Sequence, residues 1–186
     1  MGKVIYSMGT SLDGFVKDER GDFAFTEPDE GVHEMANELT REASAFLLGR
    51  RMYEVLEGFW PAAAERQHEL PPVEAAFARA YVRTPRIVFS DTLDSVPAGT
   101  RLVRSDDAAG EVARLKAETD GPLSLGGAAL AASLVEHIDE FRPWVSPVAV
   151  GGGTPFFPAG RTLRLRLVEH RSFPSGALWL RYERAG

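Results

Sequence analysis

Two apolar runs in the sequence each end in a glycine cluster. Leu123-Ser124-Leu125 meets Gly126-Gly127, and Val148-Ala149-Val150 meets Gly151-Gly152-Gly153. Ligands of open α/β sheets gather beyond the carboxyl ends of strands, and glycine there lets them approach the backbone. Two further runs end in chemistry-bearing residues: Ala45 to Leu48 meets Gly49-Arg50-Arg51, and Arg86 to Phe89 meets Ser90-Asp91-Thr92. Gly49 and Gly126-Gly127 stand where helices begin, and helix N-termini offer free N–H groups and positive dipole to an anion. Arg50 and Arg51 add guanidinium groups that can hold a phosphate bidentately. Taken singly, each feature is equally well explained as a loop glycine or a solvated arginine. At successive strand ends they point together to a cleft for an anionic dinucleotide. Gly151-Gly152-Gly153 leads into Thr154-Pro155 rather than a helix, so it is assigned to a loop on the substrate side.

Other chemistries lack their residues. Gly151 and Gly153 have dinucleotide-fingerprint spacing, but Phe156 holds the third glycine position. There is no phosphate-loop Gly-Lys-Ser/Thr and no Gly-x-Ser-x-Gly elbow. The four histidines, His33, His68, His137 and His170, are not at ligand spacing, so no metal is expected. With no cysteine, disulfides, thiolate catalysis and iron–sulfur ligation are ruled out. A length of 186 residues, 44% hydrophobic and 26% charged, fits one globular domain. A formal charge of −6 argues against nucleic acid or an anionic membrane surface as partner. No run approaches a membrane span, and no signal segment opens the chain; the expected location is the cytoplasm.

The elements that would position these residues follow from periodicity. Val4 to Met8 is a buried-type strand leading to the Asp13-Gly14 turn, after which Phe15-Val16 starts a short returning strand. Val32, Met35, Ala36, Leu39 and Ala43 form one helical stripe. Ala45 to Leu48 is an interior strand, and the helix after it runs to Trp60, where Pro61 stops it. Residues 62 to 70 carry no assignable pattern. Val73, Ala76, Phe77, Ala80 and Tyr81 make another stripe. Strands follow at Arg86 to Ser90 and Arg101 to Arg104, and Ser105, Asp106 and Asp107 offer an N-cap to the helix carrying Val112 and Leu115. The Gly126-Gly127 helix extends to about Val135, and the next strand ends at Val150. Leu163 to Val168 and Leu178 to Tyr182 form an antiparallel hairpin around Pro174-Ser175-Gly176. The fold class is therefore α/β: a mostly parallel sheet with crossover helices and an antiparallel C-terminal hairpin.

Several motifs recur here in a familiar order: Ser11-Leu12-Asp13-Gly14, Leu48-Gly49-Arg50-Arg51, Ser90-x-Thr92-Leu93, Gly126-Gly127, Ile138-Asp139-Glu140 and Pro147 through Phe157. In this order and spacing the chain resembles the dihydrofolate-reductase-like family. The closer branch is the reductase domain of the riboflavin-biosynthesis deaminase-reductase, in its stand-alone bacterial form. The resemblance covers Lys3 to Tyr182. It implies NADPH as hydride donor, with NADH left open. It places Gly49, Arg50, Arg51 and Met52 at the cofactor phosphates and Ser90, Asp91 and Thr92 near the adenosine ribose and 2′-phosphate. Gly126, Gly127, Ala128 and Leu130 fall at the pyrophosphate, and Leu12, Asp13 and Gly14 beside the nicotinamide. Met52 replaces a common threonine. Asp91 stands where a basic or neutral residue is common, and its carboxylate would repel a 2′-phosphate. Arg142-Pro143-Trp144 is unusual in a strand, because proline donates nothing to the ladder; an edge, a bulge or an altered pocket wall would explain it.

The expected activity is reduction of a small heterocyclic or carbonyl/imine substrate; the alternative is a non-catalytic module holding a nucleotide, pterin or flavin-like ligand. Asp13 is the candidate proton donor, with turn formation as its equal alternative, and Glu34 and Glu38 are secondary candidates. Trp60, Gly152, Phe156 and Phe157 are candidate substrate contacts, although core packing explains each aromatic equally well. Arg161 is the one cation left for a substrate phosphate. A homodimer is compatible with every reading.

Overall fold

The computed structural model describes residues 1–185. In chain order its elements are β1 (Val4–Thr10), β2 (Phe15–Lys17), α1 (Glu30–Glu42), β3 (Ala45–Gly49), α2 (Arg50–Glu57), α3 (Trp60–Glu65), α4 (Pro72–Arg83), β4 (Arg86–Phe89), β5 (Thr100–Val103), α5 (Ala108–Glu118), β6 (Leu123–Gly126), α6 (Ala128–Ser133), β7 (Glu140–Val145), β8 (Thr154–Pro155), β9 (Leu165–Ser172) and β10 (Leu178–Arg184). Among the described residues, eight strands form one sheet in the order β5-β4-β3-β6-β1-β7-β10-β9. The pairings from β5 through β7 are parallel; those of β7 with β10 and β10 with β9 are antiparallel. The mostly parallel sheet and the C-terminal hairpin are those expected from the sequence.

Strand alternation gives the sheet two unlike faces. Val4 and Tyr6 of β1, Leu47 of β3, and Leu123 and Leu125 of β6 enter a large core with Val112 of α5 and Leu130 of α6. The opposite face buries Phe46, Leu48 and Val88 against Tyr53 and Tyr81. Ile5 and Ser7 of β1 lie on this second face, below α1. That helix turns Val32 and Met35 inward, and its first turn is capped by Asp29, which accepts the Val32 N–H at 2.7 Å.

Four local expectations are corrected. The stretch Val148 to Val150 is not a strand; the strand lies earlier, at β7, and contains Pro143. β7 is interior, between β1 and β10, and its ladder with β10 has no registered pair at Arg142 or Pro143, so the missing donor falls in a gap. β2 does not pair back on β1 but on β8. There Gly153 has φ 130°, and a Cβ would overlap the Lys17 carbonyl, so only glycine allows the pairing. Pro61 does not stop a long helix: α2 already ends at Glu57, and Pro61 sits in the first turn of α3, where a missing N–H costs nothing. Of Ser105, Asp106 and Asp107, Asp107 takes the N-cap position of α5, but its side chain makes no capping hydrogen bond. A 3-10 turn, Ser105–Asp107, precedes α5, and Asp91 accepts its first N–H, from Ser105, at 2.8 Å.

Candidate functional site

A cleft of about 750 Å³ opens at the carboxyl ends of β1, β3 and β6. One wall is the start of α2, Gly49 to Met52, continued by Val55 and Leu56. A second is the start of α6, Gly127 to Leu130, and a third runs from Phe89 to Ser105 and Ala108. Lys17, Phe23, Thr26 and Thr154 close the remaining side.

The two helix starts meet. Gly127, with φ 109°, carries the chain into α6, and a Cβ there would stand 3.6 Å from the Gly49 Cα. Neither α2 nor α6 has a side-chain cap. Among the described α-helices only α1 has a side-chain cap, from Asp29; α3, α4 and α5 have none, although α3 and α4 carry proline in the first turn, which removes a donor, and Asp91 caps the 3-10 turn before α5. The bare starts of α2 and α6 are the two that adjoin each other at the cleft. Arg50 and Arg51 both line it, but they differ in freedom. Arg50 is tied to Glu54 one turn on, at 2.9 Å. Arg51 is exposed and pairs with no carboxylate among the described residues.

Gly49, Arg50, Arg51, Met52, Gly127, Ala128 and Leu130 therefore come together as expected residues of one cleft. Gly126 lies just behind, where a Cβ would press on Met52 and Leu48 at 3.2 and 3.3 Å. Ser90, Asp91 and Thr92 do not line the cleft. Ser90 Oγ is taken up by its own turn, accepting the Thr92 and Leu93 N–H groups, and Arg104 donates to the Ser90 and Leu93 carbonyls at 2.9 Å. Bonds from Ser105 hold the Asp91 carboxyl below its usual range, and Arg104 adds to the effect. The charge of Asp91 is thus matched locally.

Leu12, Asp13 and Gly14 also stay off the cleft wall. The Asp13 carboxylate accepts the Val150 and Gly151 N–H groups at 3.1 and 2.7 Å. A hydrogen bond with Ser11, then that from Gly151, lowers it to about 2. It is an anion at neutral pH whose acceptors are spent on pinning one loop to another. Glu34 and Glu38 are exposed on the outer side of α1. Trp60 packs on Phe77 and Phe59, at 4.5 and 4.9 Å between ring centroids. Phe156 stacks on Tyr6 in the core at 4.2 Å, and Phe157 rests against Phe141 and Phe156. Gly152 lies beside Glu19. Arg161 is paired with Glu136 at 2.8 Å. None of these lines either cavity.

A second cavity, of about 180 Å³, lies between α1 and the strands β1, β6 and β7. Ser7, Met52 and Leu56 belong to both linings, so the two spaces adjoin. Its strand wall includes Ser7 and Ser124, which the sequence did not single out, and Arg142 and Trp144, for which an altered pocket wall is one of three expected readings. Ser7 Oγ donates to the Arg142 carbonyl and accepts from Trp144 Nε1, both at 2.9 Å. Behind Arg142 lies Glu140, whose side chain is 2% exposed. Burial alone would raise its carboxyl, but bonds from Lys3, Arg142 and Arg181 outweigh that and hold it at about 2. No helix is long and apolar enough to cross a membrane among the described residues.

A family model described as the RibD C-terminal domain matches residues 2–179. The uncharacterized protein YyaP of Bacillus subtilis (strain 168) is 26% identical over 97% of this chain and 94% of its own. A Shewanella sp. PV-4 protein named for riboflavin biosynthesis superimposes with TM-score 0.72 at 22% identity, covering 99% of both chains. A Thermotoga maritima diaminohydroxyphosphoribosylaminopyrimidine deaminase/5-amino-6-(5-phosphoribosylamino)uracil reductase gives 0.68 at 17% identity, over 99% of this chain and 57% of the other. Dihydrofolate reductase of Enterococcus faecalis, complexed with NADP(H) and RAB-propyl, gives 0.67 at 14% identity, over 100% and 98%. The fold is dihydrofolate-reductase-like.

Proposed function

The chain belongs to the RibD C-terminal domain family, and on that footing we propose that it is an NADPH-dependent reductase of a small heterocyclic or carbonyl/imine substrate. The observation that carries this is the convergence of two uncapped helix starts, with Arg51 beside them, on one cleft. The Enterococcus neighbour is named with NADP(H), and the Thermotoga neighbour as a reductase; both support the same reading. The cleft's volume and anion-seeking walls suit a dinucleotide, with pyrophosphate at Gly127 and Ala128 and Arg51 free for a further phosphate. When bound, the reduced nicotinamide supplies a hydride to an electron-poor substrate carbon.

The protein's own part is to orient and to exclude water. Ser7, Met52 and Leu56 line both the cofactor cleft and the smaller cavity, which receives the substrate ring. No carboxylate or histidine lines the larger cleft among the described residues, and Glu42 is the one carboxylate on the smaller cavity's wall. Titration with NADPH and NADH, read by cofactor fluorescence and thermal shift, tests the proposal. NADPH binds wild-type protein; Arg51→Ala weakens it roughly tenfold, as expected for loss of a hydrogen-bonded charge. Arg50→Ala costs less, because Glu54 already holds that side chain. Absence of binding by either nucleotide overturns the reading.

A further inference from the structure

We infer that the smaller cavity, through Arg142, selects a flat, single-ring acid as substrate and refuses rings that present an amidine or other cationic donor edge. The inference rests on the proposal that the adjoining cleft holds the nicotinamide cofactor.

The walls limit the occupant first. Leu39 and Ala36 of α1 face Ile5 and Ser7 of β1 across a slot of about 180 Å³, which suits one ring rather than a ring with a phosphorylated tail. Arg161, the cation available in principle for such a tail, is engaged elsewhere.

The polar inventory then sets the sign. Arg142 is the one cation on this cavity's wall among the described residues. The one carboxylate there, Glu42, is exposed at the last residue of α1. The other carboxylates of the helix's middle turns, Glu34 and Glu38, point away. An amidine edge needs a carboxylate to receive its two donors, and beside Arg142 it would meet like charge instead. An acid meets an Arg142 side chain only 11% exposed and still holding unused donors. Its Nε and Nη2 donate to Glu140 Oε2 at 2.9 and 2.5 Å, while Nη1 has no partner among the described residues. Glu140 does not cancel this charge alone, because Lys3 and Arg181 bind the same carboxylate at 2.9 and 3.0 Å. Lys3 and Arg181 also meet Glu183, at 3.4 and 3.6 Å, and Arg181 meets Glu169 at 4.0 Å, whereas Arg142 meets Glu140 alone and is the one cation on the wall among the described residues. The Thr40 and Ser124 hydroxyls supply adaptable partners around the ring, while the Ser7 O–H is already given to the Arg142 carbonyl.

Benzoate and benzamidine make the test, since they match in size and shape and invert in charge and donor pattern. Calorimetric titration of wild-type protein at fixed ionic strength is expected to give benzoate at least tenfold tighter binding. This preference runs against the chain's net charge of −6 and so is not a bulk electrostatic effect. Arg142→Gln is expected to bring the two ligands within twofold. Arg181→Gln removes a cation from Glu140 but not from the cavity wall, and is expected to keep the preference. If Arg142→Gln does not fold, the pair Glu140→Gln with Arg142→Gln, which leaves no buried charge uncompensated, takes its place with the same expectation. Equal or tighter benzamidine binding in the wild type overturns the inference, as does a benzoate preference that survives loss of Arg142 in folded protein. NADPH titration of the same samples separates the two claims. NADPH binding without benzoate selectivity sinks the inference alone, and benzoate selectivity without NADPH binding sinks the reductase reading while the acid-selective cavity stands.

Discussion

The carboxylate of Asp13 joins the Ser11–Gly14 turn to the loop at Val150 and Gly151 through two backbone N–H groups. The Leu12 N–H donates to the Val148 carbonyl in the same seam, at 2.7 Å. Because folding lowers the Asp13 carboxyl from 3.8 to about 2, its contribution is complete above pH 4 and is lost as pH falls toward 2. Asp13→Asn should therefore speed amide exchange at Val150 and Gly151 at neutral pH and flatten its change between pH 4 and pH 2. Unchanged exchange would show that the seam holds without the carboxylate. Residue type alone showed Asp13 as a charged residue in a turn, but not which backbone it reaches, because its partners lie more than a hundred positions on. Ser7 escaped for a related reason, and the sequence marks Arg142 and Trp144 only as part of an edge, a bulge or an altered pocket wall. They become neighbours only when β1 and β7 pair in register, Ser7 beside Arg142 and Gly9 beside Trp144. Arg50 and Arg51 were legible, because a helix start after a strand is a local pattern.

Elements whose stabilising contacts are local were read correctly, and those fixed by distant partners were not. The α1 and α4 stripes and the glycine starts of α2 and α6 depend on residues within a few turns of each other. β2 and β8 are two or three residues long and have no meaning apart from each other, so neither periodicity nor turn chemistry could pair them. Their clasp hangs on Gly153, whose φ and close approach to Lys17 leave no room for a side chain. Gly153→Ala should open it by about 2 kcal/mol, roughly thirtyfold in the local equilibrium. Since Lys17 and Thr154 line the cleft, NADPH affinity should fall as well. Hydrogen exchange resolved to β2 and β8 would check this, and protection equal to wild type would show that the clasp tolerates the methyl. Pro143 marks the opposite case. It suggested an edge, yet β7 is central, because the sheet leaves its donor position unpaired rather than excluding the strand.

Across the whole molecule, an acidic chain carries a cleft whose ionised wall residues are Lys17, Arg50 and Arg51, among the described residues. Focusing a positive potential inside a negative body favours capture of an anion there while the outer surface stays soluble. The sheet order was not legible from composition or periodicity, since pairing β3 with β6 and β6 with β1 joins segments far apart in sequence. The bare start of α2 has a further consequence, for how far this protein can be made more robust. Gly49 has φ −68° and ψ 151°, a conformation open to any residue, and a Cβ there would meet Leu130 at 3.4 Å and the Gly126 carbonyl at 3.9 Å, both ordinary contacts. Nothing steric therefore keeps an acidic cap out of position 49. Gly49→Asp would answer the open N–H groups and the dipole for about 0.5 kcal/mol, roughly 1–2 °C in Tm. The same carboxylate would occupy the place meant for phosphate, so NADPH affinity should fall as Tm rises. A variant that melted higher and bound the nucleotide equally well would break that opposition. If the opposition holds, the fold keeps a built-in weakness at this helix start, and selection for heat resistance alone would tend to erase the site.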